Sequence, residues 1–190
     1  MKVTSFISFG KLAVALALTL TSDVALSDTS WAQISVFASV EGLQCSSTDA
    51  SFPGAIIVRS LSGGVSAGSG GGGGGSGGQP APAPVIAPLR IAKDFDQCSP
   101  LLFRAAVVGQ AFARVTITFV KEGGSRFSFF VIELTNATVQ DMTIGANDAV
   151  SEEVSFTFQR IKLTDIIMGA NGKFGGTVVI DCDFKALKCT

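Results

Sequence analysis

Residues 63–88 read GGVSAGSGGGGGGSGGQPAPAPVIAP and hold half of the chain's 22 glycines and four of its six prolines. A tract with so few side chains buries too little apolar surface to offset the entropy of ordering it, so composition alone makes it a linker. Yet only roughly thirty residues, Gln33 to Ser62, precede it once the N-terminal segment is set aside, fewer than the ~40 that usually fold alone. A domain boundary here fails on size. The tract reads instead as an extended loop between two strands of one domain spanning 33–190. Its length points to a task of its own.

The chain has 190 residues, a formal net charge of −1, 47% hydrophobic and 15% charged residues, the balance of a protein with a sizeable core. No basic run and no interleaving of Arg or Lys with aromatics is present, so the phosphate contacts that dominate nucleic-acid affinity are missing. His and Tyr are absent altogether, which removes the commonest general base and the commonest metal ligand. The carboxylates Asp141, Asp148, Glu152, Glu153, Asp165, Asp181 and Asp183 are scattered. Glu152 and Glu153 would point to opposite faces of a strand, which builds no shared acid–base site and reads as a solvated strand end. We therefore expect no catalytic residue, no cofactor and no metal site.

At the N-terminus, Lys2 and Lys11 flank or precede the apolar run 12–20, which has the length of a secretory hydrophobic region and is too short to span a bilayer. Residues 1–32 read as a signal peptide, with small-residue cleavage sites after Ser27 and after Ala32, leaving no membrane span once removed. The expected location is exported, periplasmic or extracellular. Cys45, Cys98, Cys182 and Cys189 all lie beyond this segment, and an even count in an exported chain points to two disulfides with three possible pairings. Short-loop closure favours Cys182 with Cys189, leaving Cys45 with Cys98. The alternative, a four-thiolate zinc site, would need unfamiliar spacings, since no CxxC pair occurs.

Elsewhere the pattern is mostly period two. Ile34, Val36, Ala38 and Val40 alternate with Ser35, Phe37 and Ser39, and Val115, Ile117 and Phe119 alternate with Arg114, Thr116 and Thr118. Glu122, Gly123 and Gly124 form a hairpin turn, with strands over 126–134, 136–144, 153–163 and 176–184. In 153–163 the apolar phase slips near Gln159 and Arg160, which predicts a bulge or a change of packing face. The segment CSPLLFRAAVVGQ breaks the rhythm: Ser99 as N-cap, Pro100 at the first turn and Gly109 as C-cap predict one short helix. About eight strands are too many for one uncovered sheet, so they close as a barrel or sandwich.

The order of these elements resembles the Hcp family (haemolysin-coregulated protein), the tube subunit of type VI secretion systems. The resemblance is carried by VEGLQCSSTD, SLSGGVS ahead of the glycine-rich loop, KDFDQCSPLL opening the helix, the KEGG hairpin and EEVSFTFQRI, in that order over 34–163. It implies a mainly β fold in which two antiparallel sheets form a β-barrel with one short flanking α-helix. It further implies bacterial origin, a homohexameric ring that stacks into a tube, spike or effector proteins as partners, and a non-catalytic role. By the same resemblance 63–88, including Gly70, Gly75 and Gly78, corresponds to the loop that reaches a neighbouring ring, and Ser62 to a channel-facing position. The family's tube subunits ordinarily carry no cleaved signal, and the match loosens beyond Asp165. The alternative function is an exported β-barrel binding module that keeps the fold without a secretion-tube role.

Overall fold

Alternation becomes strand along most of the chain in the computed structural model, which describes residues 33–66, 84–123, 126–146, 149–169 and 173–190. Residues 1–32, with both cleavage sites, and the middle of the glycine tract, with Gly70, Gly75 and Gly78, lie outside the described residues. The elements are β1 (Ile34–Val40), β2 (Ile56–Val58), β3 (Ser60–Ser66), β4 (Val85–Asp94), α1 (Ser99–Val108), β5 (Ala111–Lys121), β6 (Phe127–Ala146), β7 (Val150–Thr157), β8 (Arg160–Met168), β9 (Phe174–Asp183) and β10 (Lys188–Cys189). Every pairing is antiparallel.

Two branches of one sheet share strand β6. The first runs β10-β9-β8-β6-β5-β1-β2, and the second runs β6-β7-β4-β3. Strand β6 bridges them because it bends: Phe130 to Thr135 pair with β8, and Thr138 to Ala146 pair with β7. Asn136, at φ 55, makes the bend, a left-handed conformation that Asn tolerates better than most residues. On the far side the chain itself joins the sheets, since β2 pairs with β1 and β3 with β4, and Arg59 between them donates its N–H to the Ala92 carbonyl at 2.8 Å. The barrel expected from the sequence is therefore built from two branches that share β6 and are joined again by the chain where β2 runs on into β3.

Three expected boundaries change. The strands 126–134 and 136–144 are one 20-residue strand, β6, because the bend at Asn136 redirects the ladder without ending it. The phase slip near Gln159 is neither a bulge nor a change of face within one strand. The chain leaves β7 at Thr157 and re-enters as β8 at Arg160 on a different part of β6. The glycine tract contributes strand at both ends, with Gly64 opposite Ala87, Val65 opposite Ile86 and Ser66 opposite Val85. A register shift between Ser62 and Gly64 marks a bulge, where Gly63 has φ 155 and a Cβ would lie 2.9 Å from Leu89 Cδ1 and 3.1 Å from its Cα. Only glycine fits so close an approach.

The core fills the space between the sheets. Ala38, Ile56, Ile91, Val115, Ile117, Leu134, Val154 and Phe156 are buried, and α1 adds Leu102 and Ala105 at one end. Gly109 closes the helix at φ 63, as its position after the last apolar turn predicts. Phe37, on the opposite face of β1 from Ala38, is buried as well. The loop 44–55 folds over that face and stacks Phe52 on Phe37 at 4.6 Å. The Arg126 guanidinium lies 5.9 Å from both rings and pairs with Asp49 at 2.6 Å, tying this loop to the β5–β6 turn.

Candidate assembly surface

The polar face of the β6-β7-β4-β3 sheet is built by alternation. Leu89 and Ile91 of β4, with Val154 and Phe156 of β7, point inward, so Arg90, Ala92, Glu153 and Ser155 lie on the opposite side, where Ser155 is nonetheless buried, at 1% exposure, and bonded to Arg90. Register places Ser62, Arg90, Ser155 and Asp141 in one row across all four strands, and Ser60, Ala92, Glu153 and Thr143 in the next. Arg90 donates Nε–H to Ser155 Oγ at 3.1 Å and lies 3.6 Å from the Glu153 carboxylate, so the central charges neutralise one another. Ser62 is exposed at the edge of this face. The result is a polar face on a regular sheet, with the exposed Arg90–Glu153 pair at its centre.

Both outer strands of this sheet present unpaired edges among the described residues. Strand β3 pairs only with β4, and 139–146 of β6 pair only with β7, because the β5 ladder ends at Thr138. Each edge carries an exposed aliphatic residue, Val65 on β3 at 64% and Ile144 on β6 at 50%. Unpaired edges with apolar side chains are templates for joining another strand.

The inward alternation of β4 and β7 ends in charge. Lys93 follows Leu89 and Ile91, and its buried ammonium pairs with the buried carboxylate of Glu152, which precedes Val154 and Phe156. The same ammonium donates to the Asp94 carbonyl at 2.8 Å, Asp96 Oδ1 at 2.9 Å and Ser99 Oγ at 3.1 Å. Ser99 donates its hydroxyl to Glu152 Oε1 at 2.6 Å. Two carboxylates thus face one lysine, and the excess negative charge sits at the start of α1, whose unpaired N–H groups favour an anion. This corrects two expectations. Glu152 is not a solvated strand end, because β7 turns it toward the core and Lys93 meets it there. Ser99 is not the N-cap: Cys98 occupies that position, Asp96 Oδ1 accepts its N–H at 2.9 Å, and the Ser99 side chain turns inward as the first helical residue. The alternation L-x-I-x-K opposite E-x-V-x-F was the available signal.

A disulfide joins this cluster to the loop over Phe37. Cys45 and Cys98 are bonded with their Cα atoms 5.1 Å apart, both buried. Around them Ser46 donates its hydroxyl to Asp96 Oδ2 at 2.9 Å, and Gln97 donates its side-chain N–H to the Cys45 carbonyl at 2.7 Å. The second bond, Cys182–Cys189, joins β9 to β10. Burial alone would raise the Asp96 pKa, but hydrogen bonds from Lys93 and Ser46 outweigh it and hold the carboxyl below its ordinary value of 3.8. Its stabilising contribution is complete above that value and is lost as pH falls through the lower folded one. Denaturant unfolding between about pH 5 and pH 2 should show stability declining with acid, and Asp96→Asn should flatten that decline. An identical slope in the variant would contradict the assignment.

Between the β3–β4 pair and the β8–β9–β10 extension the barrel opens into an apolar groove of about 580 Å³, lined among others by Leu61, Ile86, Phe130, Phe158, Leu163 and Leu187. Among the described residues no group of three or more His, Cys, Asp or Glu could hold a metal ion. No helix among them is long and apolar enough to cross a membrane.

Among the described residues, then, a two-branched antiparallel barrel carries one helix and a polar-faced sheet with two open edges. The family described as type VI secretion system effector, Hcp, matches residues 37–164. The chain belongs to the Hcp family of type VI secretion proteins. Its fold is similar to a solved type six secretion system protein (TM-score 0.74, 21% identity, 83% of this chain and 100% of that one). It is also similar to Hcp1 from Salmonella typhimurium (TM-score 0.68, 20% identity, 83% and 99%) and to a type VI secretion system effector from Yersinia pestis (TM-score 0.61, 17% identity, 78% and 98%). No curated protein matches the chain in sequence.

Proposed function

We propose that this chain is a non-catalytic, ring-forming subunit of a type VI secretion tube, six copies to a ring. The observation that carries the reading is the four-stranded sheet with a polar face and two open edges. Joining the β3 edge of one copy to the β6 edge of the next is a heterologous contact, the kind that closes into a ring when the rotation permits. It would bury Val65 and Ile144 and turn the row containing Ser62, Arg90, Ser155 and Asp141 toward a shared channel. A face whose central charges, Arg90 and Glu153, neutralise each other suits a channel that passes spike or effector proteins without holding them. Stacking of rings through the 63–88 tract, with Gly70, Gly75 and Gly78, follows from the family resemblance, and glycine there allows close backbone approach.

Export extends this reading: residues 1–32 serve as the signal, and 33–190 form the single exported domain. Two disulfides suit an oxidising compartment. The edge contact has a direct test. Lysine on both edges, Val65→Lys with Ile144→Lys, should block strand joining while leaving the fold intact. Light scattering should then report monomers with an unchanged circular dichroism spectrum. Rings that persist in this variant would overturn the edge-to-edge geometry.

A further inference from the structure

The two disulfides sit in opposite surroundings. Cys45 and Cys98 are 4% and 0% exposed, within the core. Cys189 is exposed and Cys182 half-buried, at the mouth of the apolar groove that both help to line. Strand β10 is only two residues long, Lys188–Cys189. Beyond the bridge it is held by its pairing with β9, Lys188 opposite Asp183, and by the reciprocal pair in which Asp181 and Thr190 each donate N–H to the other's carbonyl at 2.9 Å. Leu187, just before β10, has φ 51 and is 65% exposed, a strained conformation for a branched, non-glycine residue. The preceding turn is held separately, since Asp183 Oδ1 accepts the N–H groups of Lys185 and Ala186 at 2.9 and 3.0 Å. Phe184 is anchored on the barrel side, with its N–H to the Gln159 carbonyl at 3.0 Å and its ring 5.8 Å from Phe158.

We infer that Cys182–Cys189 is a thiol-exchange site, a redox latch that a dithiol partner opens to free 187–190 from the groove mouth. Exposed disulfides are the labile ones, whereas attack on Cys45–Cys98 requires the core to open first. A thiolate of the dithiol attacks Cys189 Sγ, the S–S bond breaks, and Cys182 leaves as a thiolate that takes a proton from water. The second thiolate of the partner then attacks its own sulfur in the mixed disulfide and releases Cys189. The chain gains two electrons and two protons, and the dithiol becomes a disulfide. Without the bridge, the strain at Leu187 and the entropy of ordering the last residues outweigh the short β9–β10 ladder and the Asp181–Thr190 pair that extends it. Leu187, Lys188 and Cys189 then leave the groove lining, and the β9 edge at 181–183 is uncovered. Phe184 and the turn after it remain.

The test treats the purified, folded protein with dithiothreitol, alkylates at intervals with iodoacetamide and maps the cysteines by peptide mass spectrometry. Cys182 and Cys189 should be modified at least ~10-fold faster than Cys45 and Cys98. Comparable rates, or earlier modification of Cys45 and Cys98, would overturn the exchange site. Hydrogen exchange on the same samples reads the latch. The amides of Asp181 and Thr190 should lose protection on reduction while those of β5 and the first half of β6 keep theirs. The variant Cys182→Ser with Cys189→Ser should exchange like the reduced protein under all conditions. Slow exchange of Asp181 and Thr190 in either sample would show that the bridge holds nothing in place.

Discussion

Replacing Lys93 with methionine is expected to lower stability by about 3–5 kcal/mol in chemical denaturation, because it leaves buried carboxylates without their counter-charge. Lys93 and Glu152 side chains are 1% and 0% exposed, so solvent screens the pair very little. Methionine fills most of the volume of the lysine stem, which isolates the electrostatic loss from a packing loss. Adding Glu152→Leu should recover part of the stability, since it removes the charge left unpaired. Asp96 stays supported by Ser46, the Cys98 amide and the start of α1. A single variant within about 1 kcal/mol of the parent would mean that this cluster contributes little to holding β4, β7 and α1 together.

Removing the buried disulfide as Cys45→Ala with Cys98→Ala should cost about 4 kcal/mol, the chain-entropy value for closing a loop across 53 residues. The same model gives a smaller loss for the bond across 7 residues at Cys182–Cys189. Thermal unfolding of the two double-alanine variants should rank them in that order. The buried bond has a second consequence: it pins the loop that covers Phe37 and carries Asp49 to Arg126, so its loss should also raise hydrogen exchange at 45–55. A larger cost for the C-terminal bond would contradict the view that Cys45–Cys98 is the structural clamp.

Period-two alternation made the strands legible, and capping chemistry made the helix legible, because both depend on neighbours close in sequence. What escaped depended on partners far away. Phe37 reads as the solvent side of β1 until the loop carrying Phe52 folds over it. Glu152 reads as a strand-end charge, and only the β4–β7 register, across 59 residues, brings it to Lys93. The break at 158–159 looked like a phase slip because β7 and β8 pair with successive parts of the same bent strand. Asn136 bends β6 at φ 55 without ending it, so one long strand read as two. The proposed channel-facing role of Ser62 came only from the family resemblance, since no local pattern sets it apart from any other position on a solvated sheet face.

Native mass spectrometry of residues 33–190, purified with both disulfides intact, reads ring formation directly. The expected result is an assembly of six subunits at micromolar concentration, lost in the Val65→Lys, Ile144→Lys variant. A monomer at micromolar and higher concentration, with both disulfides formed and the fold intact, would contradict it.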